Sequence, residues 1–183
     1  PRFAPRADQG VRASATSSQA GHGAGSAIDG SSSTYWASAF DPEAGQPVRL
    51  DLKLGGRRSI TGAKIDWEYP AQAFDVQVLD GGAATTVYAD PDGSSLDAAG
   101  TRLEADLHGE AAAGDTLRIT MWKPHPRWSL VGGHRLYGIR GVEPHMAAPA
   151  EVRGCPDREA NRDAWQRCAD RAVRPGDYKW ALY

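Results

Sequence analysis

Short stretches of the chain before residue 150 alternate between apolar and polar residues. Val48, Leu50 and Leu52, for example, are separated by Arg49 and Asp51. A period of two places successive side chains on opposite faces of a strand, so such a stretch predicts a strand with one buried face. The predicted strands are an edge strand within 11–25, followed by 48–52, 60–67, 74–79, 85–88, 101–107, 117–121 and 135–143.

Turn signals separate these predicted strands. Gly55-Gly56 predicts a turn after the 48–52 strand, and Asp80-Gly81-Gly82 predicts a hairpin turn. Pro70 is expected to end the 60–67 strand, because proline has no amide hydrogen to donate to a ladder. Many short strands without helical periodicity before residue 150 are typical of an antiparallel sandwich, so the predicted fold class is all-β. The side chains expected to face inward are those of Ala63, Ile65, Trp67, Phe74, Val76, Val78, Leu117, Ile119 and Met121.

The pattern changes after His145. Apolar residues at helical spacing predict an amphipathic helix over about 156–174. On one continuous helix Cys155 and Cys168 would lie about 20 Å apart, too far for a disulfide unless the helix breaks. Cys168 lies on the apolar stripe and is interpreted as a buried thiol, with pairing outside this chain as the alternative for the cysteines. The predicted organisation is an extended lead-in 1–10, a sandwich 11–145, a linker 146–155 and a helix with an apolar tail 156–183.

Composition and charge exclude several classes of partner. The 183 residues carry a formal net charge of −2, and this lack of a basic surplus argues against nucleic acid. Apolar residues make up 40%, with six Trp, which is enough for a packed core. No apolar run is long enough to span a bilayer. No apolar leader opens the chain, so a signal peptide is absent or has been removed.

Motifs of the common catalytic sites are not found in the sequence. There is no Gly-x-Ser-x-Gly, His-Glu-x-x-His or Cys-x-x-Cys, and the five histidines show no metal-ligand spacing. Asp66 and Glu68 project from the same face of one strand, and a solvated outer face is the simplest interpretation of that pair. We therefore expect no enzyme.

Several motifs occur in a fixed order along the body of the chain. They are Ala27-Ile28-Asp29-Gly30 with Thr34 and Trp36, then 65–69 leading into 73–78, then 117–120, and finally 139–143. In this order they resemble the discoidin domain, also called the coagulation factor five/eight type C domain, over about residues 9–145. The resemblance implies a galactose-binding-like jelly-roll β-sandwich. The body contains no cysteine, which is similar to the disulfide-free members of the superfamily, including bacterial carbohydrate-binding modules.

The resemblance also implies a calcium site in the loop 27–36. Carboxylate, hydroxyl and carbonyl oxygens are the ligands that calcium takes. The serines at 31 and 32 replace acidic or amide residues often found in that loop, which lowers the ligand charge. The alternative is that Asp29-Gly30 only makes a turn. The ligands implied are Ala27, Asp29, Ser32, Thr34 and Glu143.

The resemblance further implies that loops at one end of the sandwich bind the ligand. The matching loops are 18–25, 38–46, 67–73 and 122–134. An aromatic ring offers a flat apolar face to a sugar, and Arg or His side chains hydrogen-bond its hydroxyls. Trp36 and Trp67 are assigned to the core. The ligand-binding residues implied are Arg127 and Trp128, followed by His125, Tyr69 and Phe40, with packing under its own loop as the alternative for Trp128.

These expectations favour a non-catalytic binding or adhesion module that recognises glycan or glycoprotein in an extracellular or cell-surface protein. Membrane lipid is disfavoured, because Phe40 stands beside Asp41 and Glu43. The alternative is a structural or interaction subunit of a larger extracellular, ciliary or cell-surface assembly. Such a subunit would dock other protein chains through the sandwich and residues 156–183.

Overall fold

Strands account for most of the chain that can be described. The computed structural model of the protein describes residues 10–43, 45–95 and 104–146. It divides the chain into two units, 1–146 and 147–183. The predicted helix, the apolar tail and both cysteines lie outside the described residues. Within the described ranges, no helix is long and apolar enough to cross a membrane.

The described residues form nine strands and one short 3₁₀ helix, Ala24–Ala27. The strands are β1 (Arg12–Ala15), β2 (Trp36–Ala37), β3 (Val48–Tyr69), β4 (Ala71–Asp80), β5 (Ala83–Asp90), β6 (Glu104–Pro124), β7 (Leu130–Val131), β8 (His134–Arg135) and β9 (Gly138–Met146). All pairings are antiparallel. The main sheet has the order β2-β9-β3-β6-β4-β5, with β1 also paired to β3, while β7 and β8 form a separate two-stranded ribbon.

Two long strands, β3 and β6, pair along almost their whole length. Their register runs from Val48 opposite Met121 to Asp66 opposite Glu104. The first half of β3 also pairs with β1, and its second half pairs with β9. The second half of β6 lies between two strands, because it pairs with the first half of β3 on one side and with β4 on the other. The β3–β6 ribbon therefore belongs to both layers of the sandwich, and it folds near its middle to do so.

The predicted turn at Gly55-Gly56 is wrong. Both glycines lie inside β3, where the register with β6 shifts between Lys53 and Arg58. Gly55 has φ +71°, a left-handed conformation that glycine adopts without steric cost. The glycine pair therefore bends the strand without reversing it. In the same way, the strands predicted at 101–107 and 117–121 are parts of the single strand β6.

The predicted inward faces are confirmed. Trp36, Leu50 and Trp67 have no exposed surface. The ring of Trp67 meets that of Phe74 edge-on, with centroids 5.3 Å apart. Full burial of a large apolar side chain stabilises a fold by about 1.5–3 kcal/mol. The other residues predicted to face inward are also buried, namely Ala63, Ile65, Val76, Val78, Leu117, Ile119 and Met121.

Two further predictions about strand ends are confirmed. β4 ends at Asp80 and β5 begins at Ala83, so Gly81-Gly82 forms a two-residue hairpin turn. Both glycines have positive φ, +56° and +95°, as the tightest hairpin turn requires. Pro70 separates β3 from β4.

One glycine in β3 has no room for a side chain. A Cβ added at Gly62 would lie 2.0 Å from the carbonyl oxygen of Leu107 on β6, and the backbone there has φ +154°. A Cβ at Gly56, on the same strand, would meet no atom within 4 Å. Gly62 therefore allows β6 to approach β3 closely at this register shift.

We expect Gly62→Ala to destabilise the domain by roughly 1–3 kcal/mol, because the added methyl group forces β6 away from β3. Gly56→Ala is the matched control, and its free energy of unfolding is expected to stay within about 1 kcal/mol of the parent. Urea unfolding followed by tryptophan fluorescence measures both variants. Equal stability of the two variants would contradict the close approach.

Candidate functional site

Loops from both layers gather at one end of the sandwich. Pro70, between β3 and β4, accepts hydrogen bonds from the amide of His125 (2.9 Å) and the hydroxyl of Ser129 (2.6 Å). The amide of Gln19 donates to the carbonyl of Ala37 at 2.9 Å. We call this region the loop end, and it comprises residues 16–35, 38–43, 45–47, 69–70 and 125–137. The loops predicted to bind ligand therefore do lie together.

Asp41 fastens the loop before β3 to β8. Its carboxylate accepts hydrogen bonds from Nδ1 of His134 (2.7 Å) and from the amide of Arg135 (2.8 Å). Its own amide donates to the carbonyl of Arg135 at 2.6 Å. The bond from His134 and that from Arg135 hold the pKa of Asp41 below its usual value. Asp41 has φ +50°, a conformation that Asp and Asn tolerate better than other side chains.

Phe40 presents an aromatic ring to solvent beside this carboxylate. Phe40 is 47% exposed. The imidazole of His134 lies against the ring at a centroid distance of 5.1 Å and an angle of 36°. Because Asp41 holds Nδ1 of that imidazole, the histidine is oriented and it supports the phenyl ring from one side.

A second aromatic group lies at the end of β3. The rings of His22 and Tyr35 stack at 4.2 Å, and Tyr69 meets Tyr35 edge-on at 5.9 Å. Burial raises the pKa of Tyr69, and the neighbouring Tyr35 and Glu68 raise it further. A Cβ at Gly138 would come within 2.6 Å of the Tyr69 ring, so the absence of a side chain there makes room for that ring.

His125 organises the loop that follows β6. Its Nδ1 accepts hydrogen bonds from the amides of Arg127 (3.2 Å) and Trp128 (3.3 Å), and its ring stacks on Trp128 at 4.3 Å. Burial, together with the charge of Arg127, lowers the pKa of His125, which keeps Nδ1 able to accept. The half-buried Trp128 also packs against the core. Arg127 is exposed.

The structure thus places all the predicted ligand-binding residues at the loop end. Arg127, Trp128 and His125 share one loop, while Tyr69 and Phe40 come from two others; their roles toward a ligand stay predictions. Sequence reasoning named the loops that gather at this end but not several side chains that shape them. These are His22, Tyr35, Asp41, His134 and Arg135, whose contacts join segments that are distant in the sequence.

The predicted calcium loop brings together Asp29 and Thr34. One carboxylate oxygen of Asp29 accepts the amide of Ser31 (2.8 Å), and the other accepts the hydroxyl of Thr34 (2.7 Å). This is the local turn that was the alternative to a metal site. Ser32 is exposed and Ala27 is buried. Glu143 lies on β9 and pairs with Lys64 of β3. The calcium loop meets β9 at Ile139, which pairs with Trp36. Glu143 is four residues from Ile139, a distance of about 13 Å along the strand. The calcium set stays a prediction.

Asp66 and Glu68, the carboxylates on the outer face of β3, both pair with Arg140 of β9. Nη1 of Arg140 lies 3.5 Å from Asp66 and Nη2 contacts Glu68. The guanidinium also donates to the carbonyl of Trp67 at 2.9 Å. This arrangement joins two neighbouring strands and accounts for both carboxylates.

The family model for the F5/8 type C domain matches residues 12–132 of the chain. The chain belongs to the F5/8 type C domain family. A search of curated protein sequences found no significant match.

Solved structures similar to this F5/8 type C domain include chitosan-binding modules and a family 32 carbohydrate-binding module. Chitosan-binding module 1 of a chitosanase/glucanase from Paenibacillus sp. IK-5 is 25% identical, with a TM-score of 0.59 over 73% of this chain and 93% of that one. Module 2 of that enzyme, solved with chitotriose, is also 25% identical, with a TM-score of 0.57 over 73% and 95%. The family 32 module of Clostridium perfringens NanJ, solved with galactose, is 20% identical, with a TM-score of 0.56 over 73% and 92%. The last similarity shows the fold alone.

An open depression of about 330 Å³ lies near the bend of the β3–β6 ribbon, away from the loop end. Arg57 there pairs with Asp80 at 2.8 Å. The loop end is the better candidate for ligand binding in an F5/8 type C domain, because the depression is lined by charged and glycine residues without an aromatic ring. The lining residues are Gly10, Arg12, Lys53, Gly55, Gly56, Arg57, Asp80 and Asp115.

Two histidines that are far apart in the sequence also come together, on β6 and β9. Asp106, His108 and His145 place one ligand atom each within 4.8 Å of one another. The interpretation that the histidines lack metal-ligand spacing therefore holds along the sequence but not in space.

We expect Asp41→Asn to lower the melting temperature at neutral pH, because an amide cannot hold His134 as a carboxylate does. The folded-state pKa of Asp41 lies below its unfolded value. The carboxylate therefore contributes stability above the unfolded pKa of about 3.9, and this contribution is lost as the pH falls through the folded pKa. Melting curves from pH 7 downwards should show the gap between parent and variant closing in acid.

The matched control for this experiment is Glu43→Gln, which neutralises an exposed carboxylate of the same loop. Its melting temperature is expected to follow that of the parent at every pH. A gap between parent and Asp41→Asn that does not change with pH would show that the charge is not what fastens the loop.

Proposed function

We propose that this F5/8 type C domain is a non-catalytic carbohydrate-binding module of an extracellular or cell-surface protein, and that its loop end binds glycan. The observation that carries the proposal is the exposed ring of Phe40, oriented beside His134 and Asp41. The similarity to chitosan-binding modules, one of them solved with chitotriose, supports it.

The apolar face of a pyranose ring would stack on Phe40, since aromatic rings bind such faces through their large flat area. Asp41 occupies Nδ1 of His134, which leaves Nε2 to exchange a hydrogen bond with a sugar hydroxyl. The exposed guanidinium of Arg127 supplies further donors. One apolar face combined with a few oriented polar groups is typical of small-ligand sites.

Asp41 can also contact a sugar directly. Its two carboxylate oxygens each accept one hydrogen bond from a protein group, one from His134 and one from Arg135. Each oxygen keeps a second lone pair, and the side chain is 58% exposed, so it can accept a further hydrogen bond from a sugar hydroxyl or amino group. Asp41 therefore does not discriminate between neutral and cationic sugars.

We expect Phe40→Ala to weaken glycan binding about tenfold, which corresponds to about 1.4 kcal/mol, because the stacking face is removed. Isothermal titration calorimetry with the best glycan from an array measures the change; the array should include chitooligosaccharides, galactose and N-acetylgalactosamine-β-1,3-galactose.

Met146→Ala is the control for Phe40→Ala, since it removes a similarly exposed apolar side chain at the far end of β9. Its affinity is expected to match the parent. Equal weakening by both variants, or none by Phe40→Ala, would contradict binding at the loop end.

We also propose that the Asp29–Thr34 loop binds a structural calcium ion. The carboxylate of Asp29 and the hydroxyl of Thr34 already lie within hydrogen-bond distance, so two oxygen ligands are preassembled. Calcium is expected to raise the melting temperature of the parent and not that of Asp29→Ala, because only a bound ion stabilises the folded state. An identical response of both proteins to calcium would overturn this assignment.

The competing proposal is a structural or interaction subunit. It is favoured by the exposed apolar side chains Trp122, Leu130 and Val131, which are 49%, 49% and 36% exposed. Trp122 lies outside the core. A silent glycan array together with stable oligomers in light scattering would favour this second function.

A further inference from the structure

We propose that Asp106, His108 and His145 form a binding site for a divalent transition-metal ion such as Zn²⁺. Two histidines and one carboxylate are a donor set that zinc, nickel, cobalt and copper take in proteins. Calcium and magnesium prefer oxygen ligands only, so the site differs in chemistry from the Asp29–Thr34 loop.

The strands position these three side chains. β6 and β9 flank β3 on opposite sides, and both His108 and His145 stand opposite Gly62 in their ladders. Because residue 62 is glycine, β3 contributes no side chain between the two imidazoles. The rings stack with centroids 4.4 Å apart and planes only 8° from parallel.

The donor atoms converge on one point. Nε2 of His145 lies 2.6 Å from Oδ1 of Asp106, and Nε2 of His108 lies 3.2 Å from the same oxygen. Ligands bound at about 2.0–2.2 Å around a tetrahedral ion are separated by about 3.3 Å. Small side-chain rotations therefore suffice to admit an ion in place of the His145–Asp106 hydrogen bond and the close His108–Asp106 contact.

The surroundings set the kind of site this is. The side chains of Asp106 and His108 are 56% and 65% exposed, whereas that of His145 is 23% exposed. Water can therefore complete the coordination shell. Lys64 of β3 pairs with Asp106 on one side and with Glu143 on the other. Its positive charge repels a bound cation. These features predict an open, surface site that is weaker than a buried structural zinc centre.

A bound ion would join β6 to β9 across β3 and so stabilise the domain. The site is separate from the loop end, because Gly62 is seven residues from Tyr69 along β3, a distance of about 23 Å. Metal binding is therefore expected to leave glycan affinity unchanged. The two proposals can fail independently.

The test titrates the full chain, purified without a polyhistidine tag, with ZnCl₂ in a calorimeter and with CoCl₂ under visible spectroscopy. We expect one saturable ion per chain, a cobalt d–d absorption band typical of low coordination number, and a melting temperature that rises with zinc. His108→Ala and His145→Ala are each expected to weaken binding at least tenfold. No saturable binding by the parent would overturn the proposal.

Two controls separate this site from other metal ligands of the chain. His134→Ala removes a histidine at the loop end and should leave zinc binding intact. The Cys155→Ser, Cys168→Ser double variant removes the thiols and should also bind zinc as the parent does. Circular dichroism checks that each variant is folded, and His108→Gln takes the place of His108→Ala if the alanine variant does not fold. Loss of binding in the cysteine variant, or parent-like binding by the variants at 108 and 145, would place the ion elsewhere.

Discussion

The continuous antiparallel pairing of β3 with β6 is the constraint on which the rest of the domain depends. The ribbon spans both layers, and it bends where the register shifts between Lys53 and Arg58. Folding an antiparallel ribbon in half brings its two ends to the same side of the molecule. Pro70 after β3 consequently meets His125 and Ser129 after β6 through hydrogen bonds. The loop end exists because the ends of this ribbon meet there.

The sequence predicted the faces of the strands better than their limits. A period of two determines which side chains are buried, and Leu50, Ile65 and Trp67 are fully buried as expected. A glycine pair, in contrast, permits either a reversal or a bend. The choice at Gly55-Gly56 depends on whether a partner strand continues past it, and β6 does. Such information is absent from the local pattern, which explains why β3 and β6 were each divided in two.

The candidate site was predictable as a set of loops but not as a set of contacts. Phe40 and Arg127 stand out in the sequence because exposed aromatic and basic residues in loops suit ligand binding. The contact of Asp41 with His134 joins residues far apart in the chain, and no periodicity encodes it. The meeting of His108 with His145 has the same origin, since each lies on a strand whose neighbour is known only from the fold. Long-range register is therefore the information that sequence patterns lacked.

The histidines at the loop end show how one residue type serves different purposes in this domain. Nδ1 of His125 accepts two amide hydrogen bonds, so this nitrogen carries no proton. Burial lowers the pKa of His125, which also favours the unprotonated nitrogen. His134 instead places its Nδ1 against the carboxylate of Asp41 at 2.7 Å. The first arrangement shapes a loop from within, and the second fastens two loops together while leaving Nε2 available. A mutation of either histidine would therefore change the geometry of the loops at the loop end.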